Sequence, residues 1–149
     1  ALYEKQGKSE LVVERLEELS AHAPEDPKCR FAIAEHFLPT LEKDEMATEK
    51  VFLALSEAIY IAPYDPKLHI HLARAAEKLN RHDVTIREHL YLLSQRHTNP
   101  KISHLALAKA YLHRESLEEA ERYARKVLLV DPEEVEAKDV LRHVKALKG

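Results

Sequence analysis

The chain has 149 residues, 45% apolar and 33% charged, with a formal charge of −3 when its histidines are neutral. Two glycines, Gly7 and Gly149, leave no material for a Gly-rich phosphate loop, and the acidic balance excludes the basic footprint of a nucleic-acid binder. No apolar run approaches a membrane span, no charged-then-apolar leader opens the chain, and a lone Cys29 rules out an intrachain disulfide while leaving the compartment open.

In chain order, Leu11, Val12, Leu16 and Leu19 recur at helical spacing and predict a first amphipathic helix. Asp26–Pro27 opens a second: the Asp side chain can cap it, and proline fits the first helical position, where the missing N–H costs nothing. Val51, Leu55, Ala58 and Ile59 mark a third, Asp65–Pro66 opens a fourth, and Ile86, Leu90 and Leu93 mark a fifth. Asn99–Pro100 opens a sixth. Ser116 with Glu119 reads as a capping box before a seventh, carried by Ala120, Ala124, Val127 and Leu128. Asp131–Pro132 is expected to open the last. Strand-like alternation is absent, so the expectation is an all-α chain of about eight helices in hairpin order.

Three segments also align with one another: Ala23–Ala34, Ala62–Ala73 and His97–Ala108. Each places an aliphatic–alanine pair near mid-helix (Ile33–Ala34, Leu72–Ala73, Leu107–Ala108), at steps of 39 and 35 residues. This pattern resembles the tetratricopeptide repeat (TPR) family, a ~34-residue helix–turn–helix with the signature W-x2-L-G-x2-Y, then A-x3-F, then P. The best match is residues 101–134, with His104, Leu107, Ala108, Tyr111, Ala120, Ala124 and Pro132. Residues 66–100 and 27–65 match in the same register, the latter with extra residues around Pro39–Asp44. No unit carries the family's tryptophan, and each has alanine where its glycine stands, so a Sel1-like or other helical-hairpin solenoid is a looser alternative. The resemblance implies a right-handed α-solenoid of antiparallel hairpins: 1–26 as the second half of a truncated repeat, 27–65, 66–100 and 101–134 as repeats, and 135–149 as a capping helix. The missing first half-repeat leads us to expect a C-terminal fragment of a larger protein.

In the resembling family the first helix of each pair lines a concave binding face. Here that face is expected to hold Lys28, Phe31 and Glu35; Lys67, Ile70, His71, Arg74 and Lys78; and Ile102, Leu105 and Lys109. Apolar groups beside cations suit an extended or helical peptide bearing acidic groups. The plainer reading is that Phe31, Ile70 and Leu105 pack within or between hairpins while Arg74 and Lys109 are solvated. Some members grip a C-terminal carboxylate with a lysine–asparagine–arginine clamp; Phe31, Glu35, His71, Ile102 and Ala106 at the matching places do not reproduce it. The functional expectation is a non-catalytic protein–protein interaction scaffold for a protein or peptide partner. The alternative is a docking or oligomerisation appendage of a larger enzyme such as a peptidase, and self-association is a third reading.

The residue chemistry gives no enzyme, no cofactor and no metal site. His69 and His71 are two apart and diverge on a helix; His69 and His104 share a repeat position and are expected to replace the family aromatic in packing. No His-Glu-x-x-His or Cys-x-x-Cys is present. Cys29 lies near a helix start without a base, Glu35–His36 has no supporting motif, and the charge-rich stretches Glu14–Glu18 and Arg114–Arg122 read as solvated faces.

Overall fold

The computed structural model describes residues 2–24, 26–37 and 45–149. These are all-α, with eight helices and no strand among the described residues: α1 (Leu2–His22), α2 (Pro27–Phe37), α3 (Glu45–Ile61), α4 (Pro66–Lys78), α5 (His82–Ser94), α6 (Pro100–His113), α7 (Leu117–Val130) and α8 (Val135–Lys148). The extra residues expected around Pro39–Asp44 lie outside the described residues. Two compact units divide between Leu79 and Asn80. In the first, α1 packs on α2, α2 on α3 and α3 on α4; in the second, α5 packs on α6, α6 on α7, and α8 on both α7 and α6.

Three helices start as the sequence predicts. The side chains of Asp26, Asp65 and Asn99 accept the backbone N–H of Lys28, Lys67 and Lys101 at 2.9, 3.0 and 3.0 Å, each with proline between cap and donor. Two expectations fail. Ser116 stands at the N-cap of α7 but makes no side-chain cap bond, so the capping box is not formed. Asp131–Pro132 does not open α8, which begins at Val135 behind Glu134. Asp131 instead closes α7, and its carboxylate accepts the N–H of Glu133 at 3.2 Å within the turn. Replacing Asp65 with Ala should cost about 1 kcal/mol, a fall of about 4–8 °C in the melting temperature of a unit this size. Ser116→Ala should leave the melt unchanged; equal losses from both would contradict the capping geometry.

The first unit closes around α3. Its buried side chains, Ala47, Thr48, Val51, Phe52, Ala54, Leu55 and Ala58, span a wide arc because α2 and α4 both pack on it. Ile33 and Ala34 on α2, and Leu68, Leu72, Ala73, Ala75 and Ala76 on α4, are buried as well. In the second unit Ile86, Leu107, Ala108, Ala110, Ala120, Tyr123, Ala124, Val140 and Val144 form one cluster. Ala34, Ala73 and Ala108 are 0%, 2% and 0% exposed, as expected of small residues that let helices approach closely. α1 and α5 depart from the apolar reading. Leu11, Val12 and Leu19 are exposed while Ser20 is buried, and Leu90 is exposed while Thr85, Glu88 and His89 are buried. In α5 hydrogen bonding sets the face: Thr85 Oγ1 donates to the Arg81 carbonyl at 3.2 Å, and His89 turns inward to Ser103.

Candidate functional site

α2 and α4 bring several of the expected binding residues together in the first unit. The rings of Phe31 and His71 lie 6.0 Å apart, tilted by 38°, and both side chains are half-buried. Burial lowers the His71 pKa; Arg74 and Lys67 lower it further, against the opposing pull of Glu35 and Asp65. Phe31, Glu35, Lys67, His71 and Arg74 therefore form one neighbourhood: an aromatic–imidazole floor with an acid and two cations around it. Ile70, 42% exposed, adds an accessible apolar group on α4. Lys28 and Lys78 are exposed. The neutral imidazole is the favoured state near pH 7, so the floor can take apolar or hydrogen-bonding contact, while Arg74 and Lys67 supply positive charge.

In the second unit the expected residues sit on α6. Ile102 is 60% exposed and Leu105 half-buried. Lys109 reaches α8, where its ammonium donates to Glu136 at 2.9 Å. Lys109 is thus an ion-pair partner, neither simply solvated nor simply available to a ligand. Lys101, beside Ile102, donates to Asp131 at 2.6 Å and pairs with Glu134 at 3.0 Å. Spacing along the sequence could not reveal these pairs, because each joins residues on different elements.

The first unit uses one register position twice in a way the sequence concealed. Arg30 Nη1 donates to the carbonyl of Pro24 at 3.0 Å, and His69 Nε2 donates to the carbonyl of Pro63 at 2.7 Å. Each side chain reaches back six residues and satisfies a turn carbonyl. His69 is 6% exposed, so leaving its ring N–H unmet would be costly. His104, at the same position in the second unit, packs instead on Tyr123 at 5.7 Å, which agrees with the expectation that it stands in for an aromatic.

Neither a protein-family model nor a curated protein matches the chain by sequence. Among solved structures, the crystal structure of a thermophilic TPR protein from Thermus thermophilus is similar over 97% of this chain and 76% of its own, with 21% identity and a TM-score of 0.53. The fold is TPR-like.

No group of three His, Cys, Asp or Glu among the described residues could hold a metal ion. Among the same residues, a buried chain between α5 and α6 is reminiscent of a nucleophile. Ser103 Oγ lies 3.2 Å from Thr98 Oγ1 and 2.9 Å from His89 Nδ1. Ser103 is 0% and His89 5% exposed, so the chain satisfies buried polar atoms with no access for a substrate. The charge-rich stretch Arg114–Arg122 is not purely solvated either. Arg114 pairs with Asp83, and Arg122 lies 5.0 Å from the centre of the Tyr123 ring.

Proposed function

We propose that this chain is a non-catalytic interaction module that binds a peptide or protein partner on the faces of the first helices of its hairpins. The observation that carries the reading is the Phe31–His71 contact between α2 and α4. It supports a shared surface made by two non-adjacent helices, with Ile70 as an apolar contact and Lys67 and Arg74 as cations. Half-buried aromatic groups ringed by charge are the composition of a recognition hot spot. The partner this composition favours presents an aliphatic or aromatic anchor close to an acidic side chain. On α6, Ile102 and Leu105 offer a second apolar strip, with Lys109 held back by Glu136.

A peptide-display selection against the chain tests the proposal. The wild type should enrich a shared motif with an acidic residue near an apolar one. Arg74→Glu should lower that enrichment at least about tenfold, because like charges brought together at an interface cost several kcal/mol. Equal enrichment by both proteins would move the binding surface away from α4. An intact helical spectrum for Arg74→Glu keeps the comparison meaningful.

A further inference from the structure

α3 has a second face besides the buried one. It carries Met46, Leu53 and Tyr60, which are 75%, 54% and 90% exposed, and Tyr64 in the following turn is 85% exposed. Steps of seven residues drift by only about 20° on a helix, so the three helical side chains form one straight stripe. Single exposed apolar residues are ordinary, whereas an aligned set marks an interaction surface.

The charged flanks indicate what covers it. At about 100° per residue, Lys50 and Glu57 stand on one side of the stripe, and Glu49 and Ser56 on the other. Lys50 lies about 4.5 Å along the helix axis from Leu53 in one direction, and Glu57 about 6 Å in the other. A two-fold axis crossing α3 at Leu53 brings up a second, antiparallel α3 with like flank against like flank. Leu53 then meets Leu53, Met46 meets Tyr60, Lys50 of each copy faces Glu57 of the other, and Glu49 faces Ser56. The charges of the face are complementary to themselves in sign, with Glu57 also bonded to Arg30 of its own chain and Lys50 5.8 Å from the centre of the Phe37 ring.

We infer that this stripe docks a second copy of the chain, α3 against α3 in antiparallel order. Two exposed tyrosines bury about 300–500 Å², and the smaller, partly covered Met46 and Leu53 add less, so the stripe at most approaches the ~800 Å² per partner of a standard stable interface. The association is accordingly weak and depends on concentration.

Sedimentation velocity across a concentration series tests this. The wild-type mass should rise toward the dimer with concentration. Leu53→Glu, at an exposed position, should weaken association roughly tenfold or more while leaving the helical spectrum and the melt unchanged. Lys50→Glu should weaken it by placing Glu against Glu57, and Glu57→Lys by placing Lys against Lys50. The double exchange should restore it, with the melt reporting separately the loss of the Arg30–Glu57 pair inside each chain. A wild type that stays monomeric at every concentration, or a dimer indifferent to Leu53→Glu, overturns the inference. Failure of the double exchange to restore association overturns the antiparallel pairing. Neither result bears on Arg74-dependent peptide enrichment, which reads a different helix.

Discussion

Leu107→Ala should destabilise the second unit by about 2–5 kcal/mol, the cost of removing a fully buried leucine and leaving a partly collapsed cavity. Leu107 is 0% exposed and belongs to the cluster that joins α6, α7 and α8. A unit of this length has a stability on the order of 4–10 kcal/mol, so the substitution removes a large share of it. The neighbouring alanine tests the same packing from the opposite side. Ala108→Leu adds volume where none is free, and overpacking costs about 1–3 kcal/mol. Ile102→Ala, on the exposed side of α6, should stay within about 0.5 kcal/mol. Urea unfolding followed by circular dichroism, with hydrogen exchange over residues 100–148, measures all three. A loss below about 1 kcal/mol for Leu107→Ala would mean that α6 does not present this face to α7 and α8.

Acidification from pH 7 to pH 5 should lower stability progressively. Burial holds the pKa values of His71, His82 and His104 below the ordinary 6.5. Cationic neighbours add to this at all three: Arg74 and Lys67 at His71, Arg114 at His82 and Lys126 at His104, while the stacked His113 also lowers His82. The His82 and His113 rings lie 4.6 Å apart at 9°, so a second positive charge there is repelled. The native state binds fewer protons than the unfolded chain in this range. The stabilisation from neutral imidazole is therefore complete above about pH 6.5 and is lost as pH falls through the depressed values. Each unit of depression corresponds to about 1.4 kcal/mol, reduced here because the rings are partly solvated. Carboxylates do not confuse this window. The Glu121 carboxyl is held down to about 2 by hydrogen bonds from Lys148 and Arg125, so its contribution is complete above the ordinary carboxyl range and is lost as pH falls from about 4.5 toward 2. Melting temperatures at pH 8, 7, 6 and 5 should decline below 7, and His82→Gln should flatten the decline. A flat or rising profile for the wild type would contradict the burial of these rings.

Much of the fold was legible because its signals are local. Asp26, Asp65 and Asn99 cap helices through contacts two residues away, which dipeptide chemistry encodes directly. The same dipeptide misled at Asp131–Pro132. There proline occupies the turn position that Pro63 occupies after α3, and Asp131 stands where Ala62 stands. Helix ends were less legible. Asn80, Arg96 and Glu115 adopt φ values of 55°, 57° and 59° after α4, α5 and α6, a role glycine usually marks in a sequence. Backbone bonds hold two of them: His97 N–H to the Leu92 carbonyl at 3.0 Å and Ser116 N–H to the Tyr111 carbonyl at 2.9 Å. On α5, Ile86 and Leu93 face the core as periodicity predicts, while Leu90 is exposed and Thr85 and His89 are buried with hydrogen bonds that periodicity does not register. At the candidate site, repeat register placed Phe31 and His71 on neighbouring surfaces, while the Lys109–Glu136 pair depends on how α6 and α8 pack.

Arg30 and His69 reaching back to the Pro24 and Pro63 carbonyls bear on how relatedness is judged within this chain. Letter for letter the two positions differ, and a substitution score separates them. In terms of the work performed they are equivalent: a donor of sufficient reach, set six places after the proline, anchors the crossing from one helix pair to the next. Between these two repeats the kinship is therefore kept in donor–acceptor roles and not in spelling, whereas His104 keeps the letter of His69 without its role. Aligning such segments by which atom satisfies which carbonyl recovers a correspondence that residue identity conceals.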